Sequence, residues 1–256
     1  MTADFTDRRI LITGASQGLG RACAERFAAG GASVVGTWQG DRAAAERAEA
    51  DLRAQGHRVQ LVESDLGNGA HSERLWADHG TAGFDVLVLN AAFQRKATVD
   101  ETDPELLADT LNVNVVGNFR LAKRFIAERR AAGKPGTIVV HSSNQAEFVN
   151  PSGFAYALSK AALNHLVRHL ARATVKDGIR VNGVVLGWFD TDGEHRFYTA
   201  EQISTQAASG IPLGRAGRPA EAAELTAFLA GDSSSYMTGS LVRLDGGFAL
   251  DPDLGT

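Results

Sequence analysis

"RRILITGASQGLGRACAERFAAGG" (Arg8–Gly31) is the stretch whose reading decides the fold. Its first part, through Thr13, is a short apolar run of the kind that forms a buried strand. Glycines follow at 14, 18 and 20, and then an Ala-rich amphipathic stretch that Gly30 and Gly31 stop, the pattern of a helix. Glycine lets a backbone turn tightly and approach a ligand closely. The unpaired amides and the dipole at the N-terminus of the new helix suit a pyrophosphate. A strand, a glycine turn and a helix at the start of a chain therefore point to dinucleotide binding, with the spacing G-x-x-x-G-x-G.

The same alternation continues outward. Strands are expected at Ser33–Thr37, in "RVQLVESD" ending at Asp65, in "FDVLVLNAA" running out at Asn90, in "GTIVVHSS", in "IRVNGVVLG" and in "GSLVRLDGG". Helices are expected in "DRAAAERAEADLRAQG" with Asp41 as N-cap, over about 68–79, over about 104–132, from Phe154 to about Lys176, and in "PAEAAELTAFLAG" with Pro219 in its first turn. Residues 188–212 read as irregular. Strands joined by helices of about ten residues or more are parallel, with right-handed crossovers. Continuously apolar strands imply a sheet covered on both faces. The expectation is one α/β domain over residues 1–256, a doubly wound Rossmann fold with a mostly parallel seven-stranded sheet.

Bulk properties narrow the function. The chain has 256 residues, enough for a sizeable core, and a net charge of −4. No Lys/Arg cluster with interleaved aromatics marks a nucleic-acid binder. No apolar run reaches the roughly 20 residues of a membrane helix, and the N-terminus lacks the apolar region of a signal peptide. The lone cysteine, Cys23, excludes an internal disulfide and reads as a small buried hydrophobe. A cytoplasmic protein without a metal site is expected.

In "FAYALSKAAL" (Phe154–Leu163), Tyr156 and Lys160 stand one helical turn apart on one face. A tyrosine with its ordinary pKa of about 10 is a poor base at neutral pH. A neighbouring ammonium favours the phenolate, so the pair is a candidate proton-transfer device.

Together these motifs resemble the short-chain dehydrogenase/reductase family along the whole chain. "TGASQGLG" (13–20) is similar to its glycine signature, "SDL" (64–66) to its adenine-contacting acidic segment, and "NAA" (90–92) to its Asn-Ala-Gly stretch. "NVVGNF" (114–119) is similar to its catalytic-asparagine segment, "SS" (142–143) and "YALSK" (156–160) to its serine and Tyr-x-x-x-Lys, and "LGWFDT" (186–191) to its nicotinamide segment. "IPLGRAGRPAEAAELTAFLAG" and "TGSLVRLDGG" resemble the C-terminal portion.

The resemblance implies Tyr156 as general acid/base. Lys160 would lower its pKa and hold the nicotinamide ribose. Ser143, which lies 13 residues before the tyrosine, would bind the substrate oxygen in preference to Ser142. Asn114, with Asn112 as rival, would hold a water that links Lys160 to solvent. For the cofactor it implies Thr13, Gly14, Ser16, Gln17, Gly18, Leu19 and Gly20 at the phosphates. Thr37, Trp38, Arg42, Asp65, Leu66, Asn90, Ala91 and Ala92 would lie along the adenosine half. Gly187, Phe189 and Thr191, with Tyr156 and Lys160, would lie at the nicotinamide.

A carboxylate after the second strand selects NAD, and a basic residue there accepts the phosphate of NADP. Here that position holds Trp38, followed by Gln39, with Arg42 in reach and Asp41 counting against it. NADP(H) is expected in preference to NAD(H). Leu186 stands where the family has proline, which predicts a less rigid nicotinamide loop. His141 stands where the family has an aliphatic residue and reads as a packed strand histidine.

Substrate contacts are expected from Ser143, Gln145, Glu147, Tyr156, Trp188, His195 and Arg196, with 188–212 as a lid. A sugar or polyol is the expected substrate, and a 3-oxoacyl thioester is the alternative. Readings from other classes are a catalytically idle nucleotide-binding protein and a Rossmann methyltransferase. The resemblance also implies a homotetramer, or a homodimer, formed through the helix of Tyr156 and its predecessor.

Overall fold

The computed structural model describes residues 4–250. Seven strands form one sheet in the order β3-β2-β1-β4-β5-β6-β7. They are β1 (Arg9–Ile12), β2 (Ser33–Trp38), β3 (Arg58–Glu63), β4 (Val86–Leu89), β5 (Gly136–Ser143), β6 (Ile179–Leu186) and β7 (Leu241–Leu244). Each neighbouring pair is parallel. The order reverses between β1 and β4, and that switch point opens a crevice at the C-terminal ends of the strands.

Helices cover both faces because strand residues alternate between them. Ile10 and Ile12 of β1 and Val86 and Val88 of β4 pack on one side. There they meet α1 (Gly18–Ala29), α2 (Arg42–Ala54) and α8 (Pro219–Ala230), through Phe27, Leu52 and Ala227. Leu11, Leu87 and Leu89 point the other way. They meet α3 (Gly69–His79), α5 (Asn118–Ala132) and α6 (Phe154–Thr174), through Trp76, Phe125 and Val167. Asp41 caps α2 as expected, its carboxylate accepting from the Ala44 amide.

Two elements differ from the sequence reading. The helix expected over 104–132 is α4 (Pro104–Leu111) and α5 joined by a π-helical segment, Asn112–Gly117, in which the chain carries one extra residue in the turn. In the region expected to be irregular, Ala200–Gly210 forms α7. Its start is a capping box, in which Thr199 accepts from the Gln202 amide and the Gln202 side chain accepts from the Thr199 amide. No helix among the described residues is long and apolar enough to cross a membrane.

Candidate active site

A cleft of about 1030 Å³ lies along the C-terminal ends of the strands. The glycine turn forms one end. Gly14 and Gly18 have φ of 68° and 53°, values that L side chains rarely adopt. A Cβ on Gly20 would stand 2.0 Å from the Gly14 carbonyl oxygen. Thr13 is buried beneath the turn, where its Oγ1 accepts from the amides of Asn90 (2.9 Å) and Ala91 (3.0 Å). Asn90 Nδ2 in turn donates to the carbonyls of Thr13 (2.9 Å) and Gly14 (3.0 Å). Gln17, at the N-cap of α1, contributes no side-chain cap, and the first turn holds no acidic residue. The backbone is thus shaped as a cradle for a phosphate, and the residues fit a dinucleotide.

One of those amides is engaged. Gly18 N–H donates to Asp192 Oδ2 at 3.1 Å, across the cleft from the segment after β6. Thr191 lies beside the same glycine.

At the adenosine end, Trp38, Asp65 and Leu66 line the cleft. The Gly14 amide donates to Thr37 Oγ1 at 3.2 Å. Arg42 does not line the cleft. Its guanidinium lies 5.2 Å from the Trp38 ring centroid and pairs with Glu63 at 2.7 Å. Glu63 ends β3 in register with Trp38, and the sequence reading gave it no role.

Gly187, Phe189 and Thr191, from the segment after β6, line a further part of the wall, and Ala91 and Ala92 line it after β4, beside the glycine turn. A Cβ on Gly187 would stand 2.6 Å from the Asp245 Cα, so a larger residue is excluded there. Leu186 is the last residue of β6. Without a proline the strand runs on through this residue, which pairs in register with Ser143 on one side and Leu244 on the other.

The proton-transfer residues converge between these ends. Ser143 closes β5, and Tyr156 and Lys160 stand on the first turns of α6. The Ser143 hydroxyl donates to Asn144 Oδ1 at 3.3 Å, accepts from the Gln145 amide at 3.2 Å, and lines the cleft with Tyr156. Ser142 Oγ donates to the Lys160 carbonyl at 3.3 Å, and the residue also lines the cleft. Lys160 Nζ lies 5.3 Å from the Tyr156 ring centroid and donates to the His141 carbonyl at 2.9 Å. Burial lowers the Lys160 pKa to about 8. The Tyr156 phenol is pushed above its ordinary value by burial, pulled back by the Ser143 hydroxyl, and raised further by the Glu194 carboxylate. The expected lowering by Lys160 is therefore not established in this state: the ammonium faces a strand carbonyl rather than the phenol oxygen.

Asn114 sits in the π-helical segment, fully buried, and does not line the cleft. Its Oδ1 accepts from the Phe93 amide (2.6 Å), and its Nδ2 donates to the Phe93 carbonyl (2.9 Å) and to Ser159 Oγ (2.9 Å). Both amide hydrogens are spent, so this side chain is a strut between the loop after β4 and α6. Asn112 donates to the Gly67 carbonyl at 2.9 Å. His141 is buried with both ring nitrogens partnered.

Of the expected substrate contacts, Trp188 lines the cleft with Ser143 and Tyr156. Gln145, Glu147 and His195 do not. Glu147 pairs with Arg243 of β7, His195 pairs with Asp190 at 2.8 Å, and the Gln145 Oε1 is packed near Gly153. Arg196 lines the cleft as expected, and the wall is completed by Phe93, Gln94, Glu194 and Phe197, which the sequence reading did not name as contacts. Glu194 is fixed by the Trp188 indole N–H, which donates to it at 3.0 Å.

Fold and site define a dinucleotide-binding oxidoreductase of the doubly wound class, and the comparisons narrow the class to a family. A family profile described as enoyl-(acyl carrier protein) reductase matches residues 14–249. Oxidoreductase UcpA of Salmonella typhimurium is 35% identical over 255 residues, covering 96% of each chain. Glucose 1-dehydrogenase of Gluconobacter oxydans is 33% identical, covering 97% of this chain and 94% of its own. A Beutenbergia cavernae protein, provisionally described as an NAD(P)-dependent gluconate 5-dehydrogenase, has a crystal structure with NADP bound at low occupancy. It superposes with a TM-score of 0.89 at 28% identity, covering 98% of this chain and all of the other. The chain belongs to the short-chain dehydrogenase/reductase family, and is an NAD(P)(H)-dependent oxidoreductase acting on CH–OH or ketone groups.

Proposed function

We propose that the protein interconverts a polyhydroxylated secondary alcohol and its ketone, with NADP(H) preferred and Tyr156 as general acid/base. The observation that carries the reading is that Ser143, Tyr156 and Lys160 line one cleft together with the glycine turn. The nicotinamide, when bound, supplies or accepts the hydride. Ser143 would donate a hydrogen bond to the substrate oxygen, and Tyr156 would exchange a proton with that same oxygen. Lys160 would keep a positive charge beside the phenol and favour its ionised form during oxidation. Glu194, Arg196 and Gln94 give the wall hydrogen-bonding capacity suited to hydroxyl groups, and the likeness to a glucose dehydrogenase supports a sugar-type substrate. Residues 188–212 would act as the lid. The outer faces of α5 and α6 expose Phe119 and Leu158, which supports assembly into a tetramer or dimer through these helices.

The test is reduced-nicotinamide absorbance with NADP and with NAD against sugars, polyols and simple secondary alcohols, and in reverse against ketones and 3-oxoacyl thioesters. Turnover confined to the thioesters would overturn the substrate class. No nucleotide binding at all would overturn the whole reading.

Two further outcomes are expected at the cofactor. Glu63 partly neutralises Arg42, and both are exposed, so the pair is weak. Glu63→Gln is expected to lower the KM for NADP by about two- to threefold and leave that for NAD unchanged. An equal change for both would remove Arg42 from phosphate recognition. At the other end, a phosphate at the Gly18 amide must displace Asp192. Asp192→Ala is expected to tighten NADPH binding by about two- to fivefold in a fluorescence titration. An unaltered Kd would mean that the carboxylate leaves without cost.

A further inference from the structure

His141 lies between the two ends of the cleft and touches the machinery of both. Its Nδ1 is 3.0 Å from Asn90 Oδ1, and its Nε2 is 2.8 Å from Thr226 Oγ1 on α8. Its main-chain carbonyl accepts from Lys160 Nζ at 2.9 Å.

The partners settle the protonation of the ring. Asn90 Nδ2 already donates to the Thr13 and Gly14 carbonyls, so Oδ1 is the face turned to the histidine, and Nδ1 must be the donor. Burial and the Lys160 charge press the His141 pKa down to about 3, so the ring is neutral and Nε2 carries a lone pair. The Thr226 hydroxyl that faces it has one hydrogen and also lies 2.7 Å from the Ala222 carbonyl, its acceptor within α8. The directed hydrogen bonds therefore run from the imidazole to Asn90 and on to the glycine-turn carbonyls. The opposite tautomer would set two lone pairs against each other at Asn90. An aliphatic residue would leave the Asn90 oxygen facing apolar atoms, and the amide would be free to turn away from the glycine turn.

We infer that His141 is a positioning residue of this chain: its ring fixes the Asn90 amide that holds the glycine turn, while its carbonyl fixes the Lys160 ammonium. One strand residue thereby sets the relation between the phosphate end and the proton-transfer end of the cleft. The inference rests on the dinucleotide reading of that cleft. The carbonyl role survives any substitution, and the ring role does not, so side-chain variants read the ring alone.

The test uses two partial mimics of the ring. The Asn side chain places an N–H near the position of Nδ1 and keeps the donor to Asn90. The Gln side chain reaches toward the position of Nε2 and keeps only the Thr226 side. NADPH binding to the full chain is titrated by fluorescence for wild type, His141→Asn, His141→Gln and His141→Leu, with melting temperatures measured alongside. His141→Gln and His141→Leu are expected to weaken NADPH on the order of tenfold, the effect of stranding a buried acceptor. His141→Asn is expected to stay within about threefold of wild type even where its melting temperature falls, because it keeps the donor to Asn90. If His141→Leu does not fold, the Asn and Gln variants still decide. Equal affinity in the Asn and Gln variants, or losses that simply follow melting temperature, would overturn the inference and leave the cofactor reading standing. Failure of the wild-type chain to bind NADPH would overturn both.

Discussion

Tyr156→Phe is expected to fold, to bind NADPH within about twofold of wild type, and to lose kcat by roughly 10²- to 10⁴-fold, the usual contribution of a positioned acid/base. The substitution removes one oxygen from a half-buried ring and leaves the packing of α6 intact. The lost oxygen belongs to a residue that lines the cleft with Ser143 and Lys160. Burial and the Glu194 carboxylate raise the Tyr156 pKa, so at neutral pH the phenol is protonated and set to donate in the reduction direction. Oxidation requires the phenolate, so its rate is expected to rise with pH and reduction to fall. Stopped turnover with retained binding would support the mechanism; a Phe variant that still turns over at the wild-type rate would assign the proton step elsewhere.

Gly20→Ala should abolish NADPH binding and destabilise the fold by about 3 kcal/mol or more, the scale of a severe core clash. In an exposed helix interior the same exchange would stabilise by about 1 kcal/mol. Here the added methyl would stand 2.0 Å from the Gly14 carbonyl oxygen and 2.6 Å from Asn90 Nδ2, both fixed parts of the phosphate cradle. Gly133→Ala is the matched control. That glycine caps α5 with φ 62° and open space around its Cβ position, so its cost is local strain of about 1 kcal/mol with binding unchanged. Calorimetric unfolding and NADPH titration on both variants check the pair. A Gly20→Ala protein that binds normally would show that the glycine turn is not the phosphate site.

Much of this architecture was legible in the chain. The central strands are apolar runs bounded by turns, and burial on both faces makes such runs readable, whereas edge strand β3 alternates buried and exposed residues. The glycine turn, Ser143, Tyr156 and Lys160 were legible because their chemistry needs fixed residue types at short range. What was missed has a different physics. Nothing in "NVNVVG" distinguishes an i→i+5 turn from an ordinary one, so Asn112–Gly117 read as plain helix. The start of α7 did carry a local signal, Thr199 followed by Gln202 three residues on, but the polar mixture after it hid the helix. The contacts of Asp192 with Gly18 and of Arg42 with Glu63 join segments far apart in the chain, and no local pattern records them. His141 read as a packed, satisfied strand histidine, and the structure supplies its two ring partners.

The π-helical segment also constrains how the length of this chain can change. It spends one residue more per turn than the helices it joins, and so sets the phase between α4 and α5. Closing the segment to an ordinary helix with all its residues kept would rotate everything after it by about 100°. Leu121 and Phe125, now fully buried against the sheet, would swing off that face. Asn114 would lose its place against Phe93 in the same movement. Insertions belong in the loops; in this one turn the residue count itself is part of the design.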